Sequence, residues 1–355
     1  MPNESRSATA DELASTLVNE MDRERAAHEF GTYPTPVECL EQLSTAAATL
    51  WVKRDDLTSR LYGGSKVRKL GPLLADAQSC GATRLVTLGT VGSHHVLATG
   101  VFGKLAGFSV EAIVMPRPQS PHVLQTARAS IGQKVRLIPA TTYREASREL
   151  ARRAGEGAYP IAPGGSNLLG TQGVLAAAAE LEKQVRSGLL PEPDLLVLPL
   201  GSGGTAAGLA AGLIHTQLRT RVLAVAVAEP SRVFAHKAYA LAAELVEHTS
   251  RAAVAARLEV TTHYLGEGYG QPTVEGEQAA REAARCGLAL DDTYTAKAFA
   301  AALDRVALGR ERVVLFWNTH SSAALAPLLV DAPEEHELPA ALRRLAHAPG
   351  QPRRG

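Results

Sequence analysis

"DLLVLPLGSGGTAAGLAAGLI", residues 194–214, decides the fold class. The apolar run "DLLVLPL" reads as a strand, and the Gly-rich turn behind it opens a helix. Gly201, Gly203 and Gly204 leave backbone N–H groups free to point inward, and a helix N-terminus favours an anion. Ser202 and Thr205 add hydroxyl donors. The stretch is therefore a candidate phosphate cradle at the end of a strand.

The same alternation extends on both sides. Upstream, "TLWVKRDDLT" reads as a strand ending in charge. "RLVTLG", "SVEAIVM", "KVRLIP" and "AYPIAP" read as strands between the helical stretches "HVLATGVFGKLAG", "PHVLQTARASIG" and "TYREASRELARRAG". Next come the helix "GVLAAAAELEKQVRSG" and, past the quoted stretch, the strand "RVLAVAVAEP". "TVEGEQAAREAARCG" and "AKAFAAALDRVALG" read as helices and "RVVLFW" as a last strand. Strands separated by helices imply crossover connections and parallel sheets. Two α/β lobes are expected, with a ligand site where they meet.

Bulk properties exclude several classes. The chain has 355 residues, 45% hydrophobic and 21% charged, with a formal net charge of +1. That balance gives no electrostatic footprint for nucleic acid or an acidic membrane. No apolar run approaches the roughly 18 residues of a membrane span. The polar start carries Asp11, Glu12, Glu20, Asp22 and Glu24 and lacks the apolar core of a signal peptide. The Pro/Gly-rich basic tail reads as a frayed end. Cys39, Cys80 and Cys286 form no CxxC pair, which suits a reducing cytoplasm and argues against structural zinc. His94 and His95 are adjacent, with no carboxylate at ligand spacing, so no metal is expected.

Two phosphate ligands fit the cradle. Gly201, Gly203 and Ala206 make a loose G-x-G-x-x-A, and Glu229 closes the next strand, which outlines a dinucleotide site. A nicotinamide oxidoreductase is thus one reading. "LYGGSKVRKL", residues 61–70, supports another. Gly63, Gly64 and Ser65 let a flat ring approach the backbone beside Lys66. A lysine amine has a pKa of about 10.4 and is a poor nucleophile until buried or paired. The following helix start, with Lys53, Arg54, Arg68 and Lys69, would favour its neutral form. Such a lysine suits a Schiff base with an aldehyde cofactor, and pyridoxal 5'-phosphate accounts for both lysine and cradle.

With those motifs in hand, the sequence resembles the D-cysteine desulfhydrase and 1-aminocyclopropane-1-carboxylate deaminase family of fold-type-II pyridoxal-phosphate enzymes. The resemblance runs from about Pro34 to about Leu325. It rests on "WVKRDDLT", "GGSKVRKL", "APGGSNLLGTQG", "GSGGTAAGL", "GYGQPT" and "LDDTYTAKA", in that order. It implies a two-lobed α/β fold, each lobe an open, mostly parallel sheet with helices on both faces. Residues 1–68 and 175–355 would form the large cofactor-binding lobe and 69–174 the small one. A cytoplasmic homodimer acting on a small amino acid is also implied.

Residue by residue, the resemblance makes Lys66 the lysine that carries the cofactor. Lys69 would lie near its phosphate, which Gly201, Ser202, Gly203, Gly204 and Thr205 would hold. Ser93, His94 and His95 match the loop that faces the ring and receives the substrate carboxylate. Tyr269 and Tyr294 match two tyrosines beside the substrate, able to move protons if a cationic neighbour lowers their pKa. Thr295 and Thr319 stand where the deaminases carry Glu and Leu. A neutral hydroxyl at the pyridine nitrogen leaves that nitrogen largely unprotonated, a weaker electron sink adequate for expelling thiolate. The implied activity is β-elimination from D-cysteine, giving pyruvate, sulfide and ammonia. The alternatives are the deaminase, a lyase for another β-substituted amino acid, and a catalytically silent ligand-binding relative.

Two departures from the family pattern stand out. His94 replaces an asparagine that meets the cofactor's ring hydroxyl, and imidazole titrates near neutrality. His320 and Ser321 replace two glycines and bring side chains toward the ring. They leave neutral drift and a changed substrate both open.

Overall fold

The computed structural model describes residues 30–118, 120–155, 157–246 and 251–346. Most of the acidic start and the end of the basic tail lie outside them. The described strands are β1 (Val37–Cys39), β2 (Thr49–Lys53), β3 (Arg84–Thr90), β4 (Ser109–Met115), β5 (Val135–Pro139), β6 (Ala158–Ile161), β7 (Leu195–Leu200), β8 (Arg221–Ala226), β9 (Leu258–Thr261) and β10 (Val313–Trp317). They form a six-stranded sheet in the order β1-β2-β10-β7-β8-β9 and a four-stranded sheet in the order β5-β4-β3-β6. The pairing is parallel except between β1 and β2. No helix among the described residues is long and apolar enough to cross a membrane.

The unbroken apolar run of β7 follows from its place in the sheet. Side chains alternate across a strand. Leu196, Leu198 and Leu200 face a core built with helices Leu168–Arg186, Gly204–Ile214 and Ser231–Leu245. Leu195 and Val197 face the opposite core, under helices Val274–Arg285 and Thr295–Leu308. A parallel strand covered on both faces has no position for a polar residue. In the small sheet, Leu85, Val110, Ala112 and Val114 pack against helices Lys66–Ser79, His94–Leu105 and Pro121–Gly132. Val86, Leu88 and Ile113 pack against helix Tyr143–Arg153 through Ala146.

Helix Leu168–Arg186 joins the two lobes. Asn167 caps it by accepting the Gly170 N–H at 2.8 Å. It packs close against helix Lys66–Ser79: a Cβ on Gly173 would lie 1.9 Å from the Arg68 carbonyl oxygen. The expected boundaries at 68/69 and 174/175 fall inside these two helices. One assignment needs correction. The C-terminal stretch, placed above in the large lobe, contributes Leu328, Leu338, Leu342 and Leu345 to the core of the small one. The Leu328 carbonyl also accepts a hydrogen bond from Gln133 Nε2 at 3.4 Å.

Candidate active site

Most of the loops that carry the candidate residues leave the carboxyl ends of β2, β3, β6, β7 and β10, where ligands of parallel sheets gather, while Tyr269 follows β9 and Tyr294 and Thr295 follow helix Val274–Arg285. The lysine turn is stitched to the turn after β10. Gly63 N–H donates to Ser321 Oγ at 2.8 Å and Ser65 N–H to the Thr319 carbonyl at 3.3 Å. Gly64 N–H donates to the Asp55 carbonyl at 2.9 Å. Ser321 therefore serves the lysine turn, contrary to the expectation that its side chain is brought toward the ring.

Lys66 opens helix Lys66–Ser79. Its amine makes no hydrogen bond or ion pair among the described residues, and lies 5.8 Å from the centre of the Tyr294 ring. Burial pushes it below the ordinary lysine range, and the Asp291 carboxylate restores part of the loss. Lys53, Arg54 and Arg68 do not contribute as expected, because each is tied to carboxylates. Arg68 holds Asp55 through two hydrogen bonds of 2.8 and 2.6 Å and Glu180 at 3.0 Å. Lys53 bonds Glu180 and, at 2.7 Å, Gln184. Arg54 pairs with Asp56 and Glu38. The Lys53, Asp55, Arg68 and Glu180 charges cancel in a buried cluster that fixes the first turn of the lysine helix.

The Gly-rich turn after β7 opens a helix, and the fold brings to it side chains that were not singled out. Gly203 sits at φ +93° ahead of helix Gly204–Ile214, a conformation L side chains rarely adopt. A Cβ on Gly204 would fall 2.5 Å from Ser166 Oγ. That hydroxyl lies 2.7 Å from Ser202 Oγ, accepts the Gly204 N–H at 3.2 Å and accepts from Lys69 Nζ at 3.4 Å. Ser202 and Thr205 are half-buried at the mouth. Lys69 is 3% exposed, with no carboxylate within 4.0 Å among the described residues. Burial pushes its amine far down, and the nearby Lys66 and Lys237 add to the shift. Glu229, the acid of the dinucleotide reading, is exposed and accepts the Ser231 N–H at 2.8 Å, capping the next helix.

Ser93 caps helix His94–Leu105 by accepting the His95 N–H at 3.2 Å. His95, expected at the substrate, instead turns back to β3. Its Nε2 lies 2.8 Å from Thr87 Oγ1, which donates onward to the Ile161 carbonyl at 2.9 Å. Burial, with Lys69 and Lys66 close by, pushes this imidazole down to about 3. His94 belongs to a cluster. Its ring centre is 5.1 Å from that of His122 and 4.9 Å from that of His320. Tyr62, kept protonated by burial, meets His94 Nδ1 at 2.5 Å. Burial holds all three imidazoles below their ordinary range, so His94 does not titrate near neutrality as expected.

Tyr269 and Tyr294 come together, hydroxyl to hydroxyl, at 3.0 Å, and Thr90 Oγ1 lies 3.3 Å from Tyr269. The cation that sequence reasoning asked for is Arg117, 5.3 Å from the Tyr269 ring centre. It donates to Thr293 Oγ1 at 2.7 Å and the Gly92 carbonyl at 3.3 Å, joining both lobes. Tyr294 is nonetheless pushed well up, by burial and by Tyr269, so it holds its proton. Lys297 secures the loop below Tyr269, donating to the Leu265 and Gly268 carbonyls at 2.8 and 3.0 Å. Thr295 is not the isolated neutral hydroxyl of the sequence reading, because its Oγ1 donates to Asp291 Oδ2 at 2.8 Å. Thr319 closes the site behind Gly64, where a Cβ would lie 2.6 Å from the Thr319 carbonyl oxygen.

Two lobes meeting over a lysine and an anion cradle define a class, and the comparisons name it. A family model described as "Pyridoxal-phosphate dependent enzyme" matches residues 28–319. The chain belongs to the pyridoxal-phosphate-dependent enzyme family. It is 34% identical over 319 residues to nocardicin C-9' epimerase of Nocardia uniformis subsp. tsuyamanensis, covering 86% of this chain and 95% of that protein. It is 32% identical over 295 residues to a Thermotoga maritima protein provisionally named a 1-aminocyclopropane-1-carboxylate deaminase, covering 81% and 93%. The crystal structure of a 1-aminocyclopropane-1-carboxylate deaminase homologue superposes with a TM-score of 0.70 at 28% identity, covering 87% of this chain and 99% of that one.

The residues fit the cofactor. Pyridoxal phosphate brings a phosphate monoester and an aldehyde. Lys69 is a buried amine with no carboxylate within 4.0 Å among the described residues, set at a helix N-terminus with the Ser166 and Ser202 hydroxyls. A doubly charged phosphate would favour the protonated amine and pair with it. The unpaired Lys66 amine suits the aldehyde.

Proposed function

We propose that this enzyme is a lyase that removes a β-substituent from a small amino acid, with D-cysteine as the favoured substrate. The observation that carries the reading is Lys66: a half-buried amine, unpaired among the described residues and held toward its neutral form beside Tyr294. When bound, the cofactor supplies an aldehyde carbon and an electron-withdrawing ring. Lys66, Lys69, Ser166, Ser202 and the Gly203–Thr205 turn would hold it. The Lys66 amine then takes the proton from the substrate Cα. The N–H groups at the start of helix His94–Leu105 receive the substrate carboxylate. Tyr294 keeps its proton available to a departing group, and Tyr269 holds it in place. The imidazoles of His94, His122 and His320 narrow the space for a side chain, which favours a small substrate.

Thr295 and Thr319 support thiolate loss over cyclopropane opening, since a carboxylate in direct contact with the ring nitrogen would give a stronger sink. The test is a side-by-side kcat/KM comparison of D-cysteine, L-cysteine and 1-aminocyclopropane-1-carboxylate, following keto acid and sulfide. D-cysteine should win, and a faster cyclopropane substrate makes this a deaminase. A second reading is inversion at Cα, as the Nocardia relative's name describes at its own carbon. It is favoured by the presence of two separate proton carriers, Lys66 and the Tyr269–Tyr294 pair. Loss of optical activity without keto acid would select it.

A further inference from the structure

Arg117 is a buried cation whose hydrogen bonds all go to neutral groups. It follows β4 in the small lobe and is 5% exposed. Its Nη1 donates to the Gly92 carbonyl at 3.3 Å and its Nη2 to Thr293 Oγ1 at 2.7 Å. The Tyr269 ring lies beneath the guanidinium, 5.3 Å from its carbon. Nε is buried and has no partner among the described residues. The backbone is held as well, because the Arg117 N–H donates to the Leu345 carbonyl at 3.3 Å. Gly270 lets its loop close in on this stem. A Cβ there would lie 3.2 Å from Pro118 Cδ and 3.5 Å from Arg117 Cγ and Nε.

Burying a guanidinium among neutral groups costs stability, so the gain lies in geometry. The planar fork fixes two acceptors relative to each other. One belongs to each lobe. Gly92 is in the turn between β3 and helix His94–Leu105, and Thr293 is in the turn that opens helix Thr295–Leu308. Gly92 immediately precedes Ser93, Thr293 immediately precedes Tyr294, and the third neighbour is Tyr269 itself. Both turns are stiff enough to pass a displacement on. Asp291 Oδ1 accepts the N–H groups of Thr293 at 3.1 Å and Tyr294 at 2.7 Å, so those two residues move together. In the small lobe the Ser93 N–H donates to the Thr90 carbonyl at 3.0 Å, closing the turn that contains Gly92.

We propose that Arg117 is a positioning residue that locks the Ser93 turn of the small lobe to the Tyr269–Tyr294 pair of the large one. The inference rests on the reading that the Ser93 turn receives the substrate carboxylate and the tyrosines serve its proton chemistry. Substrate then meets both sets of groups in one register, set by a single side chain that touches neither substrate nor cofactor. Binding draws on each lobe separately, whereas proton transfer needs the two aligned. Loss of the lock therefore falls more heavily on proton transfer than on binding.

The test is a double-mutant cycle on the loaded enzyme: wild type, Arg117→Met, Thr293→Val and the two combined. Amide hydrogen exchange is followed at residues 93–97. D-alanine, which has no leaving group, is the probe; its binding is read from the cofactor's absorbance and its Cα–H exchange in heavy water by NMR. Thr293→Val removes one hydroxyl in the large lobe. It should nevertheless speed amide exchange at 93–97 in the small lobe by roughly 10-fold or more, the loss of one charge-assisted bond. It should slow Cα–H exchange by a similar factor and weaken D-alanine binding less. Arg117→Met should do at least as much, and the double variant should be no worse than Arg117→Met alone. Unchanged amide exchange at 93–97 in Thr293→Val overturns the lock, and so do additive effects in the double variant. Faster amide exchange with Cα–H exchange at the wild-type rate leaves Arg117 a structural bridge and overturns its part in the reaction. A wild type that binds D-alanine without exchanging its Cα proton defeats the underlying reading, and the inference with it, whatever the amides show. Thr293→Val keeps the side chain's shape and the buried cation, so it decides the matter even where Arg117→Met does not fold.

Discussion

Replacing Lys69 with methionine should stabilise the cofactor-free protein while weakening its hold on the cofactor. The side chain is 3% exposed, and its one hydrogen bond is to Ser166 Oγ at 3.4 Å. Burial and the neighbouring lysines hold the folded-state pKa well below 10.5. Between that depressed value and about 10.4 the unfolded chain binds the extra proton, so stability rises with pH through this window. The contribution is complete above the unfolded pKa and is lost as pH falls through the folded one. One proton corresponds to a slope of about 1.4 kcal/mol per pH unit. Lys69→Met should remove up to that much slope from apo urea-unfolding curves collected within this window, and should be at least as stable as wild type at pH 7. Methionine matches the lysine stem in length and flexibility. In the loaded enzyme the missing charge-assisted bond, worth roughly 1.5–3 kcal/mol, should weaken cofactor binding roughly 10- to 150-fold. Calorimetry in two buffers should also show proton uptake on cofactor binding to wild type and not to the variant. An apo variant that loses more than about 1 kcal/mol at pH 7, keeps the wild-type slope and binds the cofactor normally would refute the argument.

Three further outcomes are expected. Lys66→Ala should lose both the visible absorbance of the attached cofactor and turnover; keto-acid formation at the wild-type rate would remove Lys66 from its role. Gly204→Ala places a methyl 2.5 Å from Ser166 Oγ and should lower cofactor affinity, with Ser166→Gly restoring part of it, as measured by equilibrium dialysis. Arg68→Met leaves Asp55 without its ion-pair partner and Glu180 with Lys53 alone, and should cost about 3–5 kcal/mol in urea unfolding; a loss below about 1 kcal/mol would show that the cluster is not coupled.

Much of the architecture is legible because parallel strands buried on both faces must be apolar throughout. "SVEAIVM" and "PHVLQTARASIG" read directly as β4 and helix Pro121–Gly132. Between the strand "RVLAVAVAEP" and the helix "TVEGEQAAREAARCG" the reading assigns nothing. Helix Ser231–Leu245 has few buried positions, and the edge strand β9 carries the exposed Glu259. A helix with a narrow buried face and a short edge strand give weak periodic signals. Side-chain pairing is harder still. Lys53 and Arg68 lie close to Lys66 in sequence, yet their partner Glu180 comes from a helix more than a hundred positions later. Ser166 and Asp291 sit within motifs that were quoted. Their roles depend on three-dimensional placement, at the cradle and behind Thr295, that spacing does not encode.

The placement of β2 has a consequence for biosynthesis. Its parallel neighbour is β10, with Lys53 opposite Trp317. At roughly 5–20 residues per second, the ribosome needs on the order of 10 to 50 s to travel from one to the other. During that interval the strand leading to the lysine turn has only the short β1 beside it, and the Thr319 and Ser321 groups that brace the turn have not been made. A growing chain can pair the four strands of the small sheet early, while the six-stranded sheet and the Leu328–Leu345 part of the small lobe's core close only near the end of translation. Capture of the cofactor is therefore an event of the released or nearly released polypeptide. Nascent chains stalled before residue 313 would carry Lys66 without the scaffold that surrounds its amine.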